Sequence, residues 1–352
     1  MDRPKSTITK EAQMSVSLEQ LQTPGEGPCI WIGAISFEDR CTGSLVALQQ
    51  LGISVKKIVT LHYPTRAIPE REDLHKRHER LKDFQHLSLK LTRSELGSPA
   101  TVHPYRPSGI LTELMHLMPE LTSPRSHLLI DTTCLTKSHT VAVANWLCMM
   151  TTPRASVTLA YTRPKEYGSA STDLAQLRNW AEVVFSPCDL DLEPYRRDVC
   201  GVILLGHEGS RLRISLNRIF PRVALVVLPQ NPNEHPMASP SRTANAELIA
   251  QIQQGELKDW RLLISPPSAV NTVYDSGPMF AQEAQKRWRR VVLFPYGPKP
   301  HILAATMAAQ THGRGKSWYC YAVPLNYDVG CTAGTGSTSW FKVAPESREH
   351  YE

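Results

Sequence analysis

The chain has 352 residues, of which 41% are hydrophobic and 20% charged, as in an ordinary globular protein long enough for two domains. Its 39 basic and 33 acidic side chains give a formal net charge of +6, which is compatible with a polyanionic ligand but does not require one. No apolar run approaches the ~20 residues that span a bilayer and the N-terminal segment lacks a signal core, so we expect a cytoplasmic protein without membrane association.

The first half of the chain is predicted to be a Rossmann-like domain. Residues 1–27 are expected to be a flexible arm, followed by a βαβ unit with strand Cys29–Ile35, helix Thr42–Leu51 and strand Val55–Leu61. Such a unit implies a parallel sheet with a right-handed crossover. The elements predicted after it are helix Pro69–Phe84, strand His86–Leu91, helix Ser108–Met118, strand Leu128–Ile130 with a following turn and apolar helix, strand Ser156–Tyr161, helix Thr172–Trp180 and edge strand Glu182–Phe185.

The second half is predicted to repeat this organisation after a linker over Pro187–Arg197. Its predicted elements are strand Val199–Gly206, helix Arg211–Phe220, strand Val223–Leu228, a long exposed loop Pro229–Arg242, helix Ala244–Gln254, strand Leu262–Ile264, helix Met279–Trp288, strand Val291–Phe294, helix Pro300–Gln310 and strand Trp318–Val323. The tail from Asn326 is rich in Gly, Thr and Ser and is expected to be a loop that folds back over the site. We therefore predict an α/β fold of two tandem Rossmann-like domains, 28–190 and 191–352, with mainly parallel sheets.

Two short patterns recur in both halves and predict an internal duplication. In the first pattern, a strand and a glycine lead to an acidic residue and an arginine, namely Gly33, Glu38 and Arg40, then Gly206, Glu208 and Arg211. In the second pattern, Lys-x-His opens an Ala-rich helix directly after a strand, at Lys137 and His139 and again at Lys299 and His301. A duplicated chain would imitate within one polypeptide what related folds achieve by dimerising.

The turn Asp131–Ser138 is the strongest candidate for a ligand site. Thr132, Thr133 and Thr136 supply hydroxyls, Lys137 supplies a cation, and the helix N-terminus supplies free amides, a set that suits an anionic ligand such as a nucleotide. Under the alternative interpretation, the hydroxyls cap the helix, the aspartate holds the turn and the lysine is solvated. A lysine in the first helical turn opposes the helix dipole, so it needs a compensating anion.

Ser36, Glu38 and Arg40 follow the first strand and are candidates for the same site. An acid–base role for Glu38 is one interpretation, and a Glu–Arg ion pair that shapes the rim is the favoured one. His139 is a candidate general base or ligand-binding group, with a packed core histidine as the alternative. We assign no catalytic residue beyond the candidates Glu38 and His139.

Several common sites have no support in the sequence. Eight scattered cysteines lack a Cys-x-x-Cys pair, and His75 and His78 lie on a highly charged helix face without a third ligand, so neither disulfides nor a metal is expected. The chain lacks the GxGxxG, GxSxG and HExxH motifs, and Gly334–Ser337 lacks the lysine and helix of a phosphate loop. The basic run Lys286–Arg290 is interpreted as a solvated helix end. We therefore expect no cofactor beyond a nucleotide-type ligand, and nucleic acid is not favoured.

The segment Asp131-Thr132-Thr133-Cys134-Leu135-Thr136-Lys137 resembles the Asp-x-Thr-Gly-Gly-Thr-Lys turn of CARF domains, with Cys134 and Leu135 in place of the two glycines. CARF domains are Rossmann-like sensors of cyclic oligonucleotides in prokaryotic antiviral systems. The resemblance implies a nucleotide-binding sensor whose second binding turn maps to Ser36–Arg40. Because no nuclease or winged-helix signature is visible, its output is expected through a partner chain or the second half.

Three functions remain open from the sequence. The first is a non-enzymatic sensor or regulatory subunit of a defence complex that binds a nucleotide or cyclic oligonucleotide and acts through a partner protein or as a homodimer. The second is an enzyme acting on a nucleotide or nucleic-acid phosphate, with Glu38, Arg40, Lys137 and His139 converging. The third is a scaffold subunit that binds another protein through its polar turns.

Overall fold

The computed structural model describes residues 16–25, 28–36, 38–63, 71–92, 100–102, 108–123, 125–150, 155–167, 180–186, 199–231, 239–277, 290–312, 317–324 and 332–345. The strands in these ranges are β1 (Val16–Leu21), β2 (Cys29–Ile35), β3 (Val55–His62), β4 (Ala100–Thr101), β5 (His127–Asp131), β6 (Ser156–Tyr167), β7 (Trp180–Ser186), β8 (Val199–Leu204), β9 (Val223–Pro229), β10 (Trp260–Ser265), β11 (Arg290–Pro295), β12 (Ser317–Pro324) and β13 (Thr332–Pro345). The helices are α1 (Gly43–Gln50), α2 (Arg71–Thr92), α3 (Ser108–Leu117), α4 (Lys137–Met149), α5 (Gly209–Arg218), α6 (Pro240–Ala244), α7 (Ala246–Gln253), α8 (Val270–Tyr274) and α9 (Lys299–His312), with 3-10 helices at Asp39–Thr42 and Met118–Thr122.

The described strands form two sheets, ordered β1-β13-β6-β5-β2-β3-β4 and β10-β9-β8-β11-β12-β7. In the first sheet β2, β3, β4, β5 and β6 are parallel, and β13 runs antiparallel to both β6 and β1. In the second sheet β8, β9, β10, β11 and β12 are parallel, and β7 is antiparallel to β12. The predicted α/β class with mainly parallel sheets is confirmed.

The two strand orders correspond position for position. From β4 in the first sheet and from β10 in the second, five parallel strands are followed by an antiparallel one, β13 or β7. Counted this way, β2 and β8 take the third place in their sheets, and β1, at the far edge of the first sheet beside β13, has no counterpart among the described strands of the second. This agreement is what an internal duplication predicts, and the duplication itself stays a prediction.

The core explains why the strands are so apolar. Every residue of β2 and of β8 is buried, as expected for parallel strands covered on both faces. One continuous cluster of buried side chains includes Ile130 and Leu159 from the first sheet and Val202 and Val292 from the second. A smaller cluster around Trp31 covers the other face of the first sheet. The two sheets therefore share a hydrophobic core.

Two predicted elements near the N-terminus differ in the structure. The segment His86–Leu91, predicted as a strand, belongs to α2, because its buried residues Phe84, Leu87 and Ser88 recur at helical and not at strand spacing. The predicted flexible arm includes β1, which pairs with β13 and buries Leu18. A short polar strand carries too weak a local pattern to be recognised before its partner is known.

Two strands pair in the sheet of the other half of the chain. The predicted edge strand Glu182–Phe185 is β7, which pairs with β12 in the second sheet. The predicted tail loop contains β13, which lies inside the first sheet between β1 and β6. Its glycine-rich start obscured the strand pattern of the following Trp340–Val343. The division of the chain at 190/191 stays a prediction, although these two strands cross it.

The remaining differences concern loops. The predicted loop Pro229–Arg242 is shorter at both ends than expected, because Pro229 belongs to β9 and α6 begins at Pro240, whereas Gln230, Asn231 and Ser239 belong to no helix or strand. The centre of that loop, the linker Pro187–Arg197 and helix Met279–Trp288 lie outside the described residues. The same holds for helix Thr172–Trp180 except for its last residue, which begins β7.

Candidate ligand-binding site between the two sheets

The N-termini of α4 and α9 lie side by side where the two halves meet. The two helices pack against each other, and Gln310 donates from Nε2 to Asn145 Oδ1 at 2.8 Å further along both helices. They therefore run roughly in parallel, each directly after a strand, with Lys137 and Lys299 as their first residues. Two positive helix ends and two lysines converge on one region of the molecule.

Lys137 reaches from the first half into the second. Its Nζ donates to Glu208 Oε2 at 2.6 Å and to the Tyr296 carbonyl at 3.1 Å, and it lies 5.2 Å from the centre of the Tyr296 ring. Burial lowers the pKa of Lys137, and the positive charges of Arg211 and Lys299 lower it further against the opposing effect of Glu208. Lys137 is therefore a largely buried ammonium group that is paired with Glu208 and lies near two further cations.

Lys299 makes the reciprocal crossing from the second half into the first. Its Nζ donates to the Thr133 carbonyl at 2.6 Å, so each lysine binds the backbone of the turn that precedes the other helix. Burial would raise the pKa of Glu38, but Arg40 and Lys299 outweigh it and lower that pKa. Lys299 therefore interacts with both predicted turns of the first half: it donates to Thr133 in the turn after β5, and its charge lowers the pKa of Glu38 in the turn after β2.

The acidic residue and arginine of each repeat form an ion pair. Arg40 Nη2 lies 2.6 Å from Glu38 Oε2, and Arg211 Nη1 lies 2.7 Å from Glu208 Oε1. These four residues and the two lysines are called the charge cluster: Glu38, Arg40, Lys137, Glu208, Arg211 and Lys299. Four of these six side chains are basic and two are acidic, and the buried Asp131 is a third carboxyl group nearby, whose pKa is raised by burial against the opposing charge of Lys299.

The polar residues of the first turn hold the turn in shape. Asp131 accepts from Ser44 Oγ and from Thr133 N, and burial raises its pKa. Thr132 Oγ1 donates to the Ala160 carbonyl at 2.8 Å, and Thr133 Oγ1 accepts from Thr162 N at 2.9 Å. The predicted ligand-binding role of the three side chains stays untested, and each already has a partner within the turn or β6.

The other predicted residues of the two turns, Thr136, Ser36 and Arg40, cap α4 or hold the turn after β2 in place. Thr136 caps α4, because its Oγ1 accepts from His139 N at 3.2 Å. Ser36 Oγ accepts from Glu38 N at 3.4 Å, which orders the turn after β2. The guanidinium of Arg40 donates to the Thr162 carbonyl at 3.3 Å. These contacts support the rim that the sequence predicted around the Glu–Arg pair.

The two predicted histidines are buried. His139 has no exposed surface, and its Nδ1 lies 2.9 Å from Tyr63 Oη. His301 is equally buried, and its Nε2 donates to the Pro266 carbonyl at 2.7 Å. Burial lowers the pKa of His301 to about 4, so the ring is neutral at pH 7. Both rings therefore pack their helices against loops at the strand ends.

The start of β13 covers the turn after β2. Thr332 Oγ1 donates to Glu38 Oε2 at 2.9 Å, and Gly334 N donates to Asp39 Oδ2 at 2.9 Å. Asp39 also accepts from Arg80 Nη2 at 2.6 Å. The glycine-rich segment therefore does fold back over the charge cluster, as part of a strand instead of a loop.

Tyr296 is the functional candidate that sequence reasoning missed. Its carbonyl accepts from Lys137, and its hydroxyl lies 2.5 Å from Ser215 Oγ and accepts from Ala322 N at 2.8 Å. In the first half Ser44, the equivalent of Ser215, bonds to Asp131 at the end of β5. The available signal was the repeat, because Tyr296 follows β11 as the first turn follows β5.

Neither a metal site nor a membrane-spanning helix is found within the described ranges. There, no set of three or more His, Cys, Asp and Glu side chains is arranged to hold a metal ion. No helix in those ranges is both long enough and apolar enough to cross a membrane.

A solved structure with the same fold matches most of the chain. It is described as a Type III CRISPR defence DNA nuclease activated by cyclic oligoadenylate, and the match covers 88% of this chain and 68% of that one. The TM-score is 0.51 and the sequence identity 11%. The distant resemblance to antiviral sensors predicted from the first turn is thus confirmed at the level of the fold.

Two other solved structures match the chain with much lower structural similarity. The cytoplasmic domain of a prokaryotic cation chloride cotransporter matches with 8% identity over 86% of this chain and 98% of that chain, at a TM-score of 0.26. A ketoreductase from a macrolactin assembly line matches with 7% identity over 86% of this chain and 72% of that chain, at a TM-score of 0.22. No protein-family model matches the sequence, and no curated protein matches it.

Proposed function

We propose that this chain is a sensor or regulatory subunit of a prokaryotic antiviral defence system. It binds a nucleotide or cyclic oligonucleotide at the charge cluster between its two sheets, and it acts in the cytoplasm through a partner effector. The observation that carries the proposal is the reciprocal crossing of Lys137 and Lys299 at the adjacent N-termini of α4 and α9.

Electrostatics supports an anionic ligand. Like-signed helix ends and lysines repel one another when they converge, and Lys299 helps to lower the pKa of Lys137. A bound phosphate would relieve that repulsion and accept hydrogen bonds from both ammonium groups. Lys299 is available for this purpose, since its hydrogen-bond partner is the neutral Thr133 carbonyl.

The fold neighbour supports the ligand class and the biological setting. It is described as a defence nuclease activated by cyclic oligoadenylate. We propose that this chain takes the same class of ligand, and the predicted duplication would supply two related turns to one site.

We do not propose that the chain catalyses a reaction of the bound nucleotide. The general-base candidate His139 is fully buried and bonded to Tyr63, and the pKa of Glu38 is lowered by two cations, which makes it a poor general acid at neutral pH.

Calorimetric titration with cyclic oligoadenylates tests the proposal. We expect Lys299→Ala to weaken binding about tenfold or more through loss of a charge-assisted contact. Lys90→Ala, which removes an exposed lysine from α2, is the matched control and should bind like the unmodified chain. Native mass spectrometry of protein from its own host provides a second test, because a nucleotide released on denaturation would identify the ligand. Equal binding by the three proteins would contradict the proposal.

A further inference from the structure

Strand β10 is an open edge of the second sheet. It pairs in parallel with β9 on one side, and no strand of the described ranges pairs with its other side. Unpaired strand edges bind further strands, so proteins blunt them with short strands or charged side chains. Among the other edge strands, β4 has two residues, β1 carries the exposed Glu19 and Gln20, and β7 contains Glu182. β10 has six residues, and only Arg261 among them is charged.

The backbone of β10 directs alternate residues toward its open side. The carbonyls of Asp259 and Ser265 accept hydrogen bonds from backbone amides along β9 and directly after it, at 3.3 and 3.1 Å. Because backbone groups alternate in direction along a strand, those of Trp260, Leu262 and Ile264 point away from β9. The amide of Trp260 is already bonded within the preceding turn, at 3.0 Å. The edge therefore offers two amides and three carbonyls to an added strand.

Exposed apolar side chains lie at both ends of this edge. Among the described residues of the second half, Phe220 and Ile264 are the two exposed large hydrophobic side chains, at 54% and 47%. Phe220 stacks on Trp260 at the start of β10, with ring centres 5.0 Å apart. Ile264 lies four residues further along the strand, roughly 13 Å away, on the same face as Trp260 and Leu262. Two apolar spots thus flank one open strand edge.

A two-fold axis would bring the two apolar spots together. Antiparallel pairing of β10 with β10 of a second copy, centred on Leu262, places Ile264 of each copy opposite Trp260 of the other. Opposite residues of an antiparallel pair share a face, so each Ile264 packs beside the stack of Phe220 and Trp260 in the other copy. Both outward amides then find a carbonyl acceptor, which gives about four hydrogen bonds across the axis. The edge is therefore complementary to itself.

We propose that β10 is a homodimer interface, through which two copies of this chain join their second sheets into one continuous sheet. A second copy fits this edge better than an unrelated strand, because the isologous contact unites two apolar spots that lie apart in one chain. Charge permits the pairing, since Arg261 lies on the other face of β10, opposite Leu263 of the second copy, and no like charges meet. One strand per partner makes a small interface, so we expect a dissociation constant of roughly micromolar magnitude.

Sedimentation equilibrium of the full chain, from about 1 to about 200 µM, tests this interface. Ile264→Lys puts a charge into the apolar contact and should raise the dissociation constant of the dimer about tenfold or more. The matched control is Leu89→Lys, which adds the same charge at an exposed leucine of α2 and should dimerise like the unmodified chain. Ile264→Pro removes one outward amide and leaves the bonds to β9 intact, so it should weaken the dimer more than Ile264→Ala, which keeps that amide.

Three results would overturn the proposal. A chain that stays monomeric at the highest concentration has no such interface, and a host protein that binds it but not Ile264→Lys would identify the edge as a site for that partner. A dimer that Ile264→Lys leaves intact must use another surface. Equal weakening by Ile264→Pro and Ile264→Ala would show that the strands do not pair. Ile264→Lys should bind nucleotides like the unmodified chain, so none of these results bears on the proposed function.

Discussion

Glu208 is the residue at which the charges of the two halves meet. It accepts hydrogen bonds from Lys137 at 2.6 Å and from Arg211 at 2.7 Å. Burial alone would raise the pKa of Glu208, but these two cations outweigh it and hold the pKa far below its ordinary value. Glu208 therefore stabilises the contact between the halves and competes with any anion that binds Lys137.

We expect Glu208→Gln to have two opposite effects. It should lower the free energy of unfolding by roughly 2 kcal/mol, because Lys137 loses its counter-ion in a largely buried site. It should also strengthen binding of an anionic ligand, since the competing carboxylate is gone. Urea unfolding at pH 7 and calorimetric titration measure the two effects. The control is Glu247→Gln, which breaks an exposed pair with Arg213 and should cost less than about 0.5 kcal/mol.

His301 predicts a pH dependence of stability. Burial lowers its pKa from 6.5 to about 4 in the folded chain, so below pH 6.5 the unfolded chain binds a proton that the folded chain does not. The stability contribution is complete above pH 6.5 and is lost as the pH falls towards 4, by roughly 2–3 kcal/mol. His301→Gln should remove this part of the pH dependence in thermal melts between pH 7 and pH 4. A variant with the same pH profile as the unmodified chain would refute the assignment.

At the scale of the elements, the turn after β8 and the turn after β11 are in direct backbone contact. A Cβ at Gly206 would lie 2.0 Å from the carbonyl oxygen of Tyr296, the same atom that accepts from Lys137. A glycine is required here by the approach of another backbone segment and not by its own dihedral angles. The position of this carbonyl, and with it that of Lys137, depends on the glycine.

Gly206→Ala should therefore destabilise the chain by about 3 kcal/mol or more, because a backbone segment must move. Gly52→Ala offers a comparison, since Gly52 has a φ of +69° but open space around it, and it should cost only about 1 kcal/mol. Chemical unfolding gives both values. The reverse order of the two costs would show that the turns can separate without penalty.

At the scale of the whole molecule, the two halves complete each other. β13 comes from the end of the chain and fills the place between β1 and β6 in the first sheet. It buries Trp340 and Phe341 in the two core clusters of that sheet. A first half without this strand would expose an apolar edge of β6.

We expect residues 1–331, which lack β13 and keep the rest of the shared core, to unfold or aggregate at a lower urea concentration than the full chain. Circular dichroism and size-exclusion chromatography over a urea series distinguish the two proteins. Equal stability and a monomeric 1–331 chain would show that β13 is dispensable for the first sheet.

Local patterns predicted most strands and the positions of the turns. The runs that became β2, β5, β8 and β11 are short, apolar and followed by polar residues, and that signal needs no knowledge of distant residues. The segment His86–Leu91 was misassigned because its helical spacing is visible only from the preceding Phe84 onward. The strand β13 was not predicted for two reasons. Its glycine-rich start obscures the strand pattern, and its partner β6 lies far away in the sequence.

By itself, the sequence determined the α/β class, the parallel strands and the candidate residues at the strand ends, because hydrophobic periodicity and turn chemistry are local. Only the tertiary structure decided that Lys137 meets Glu208, 71 residues away, and that Lys299 meets the Thr133 carbonyl, 166 residues away. It also decided that the predicted threonine hydroxyls are engaged within the first turn and β6. These outcomes depend on how two sheets pack over a shared core, and no local pattern in the chain encodes that packing.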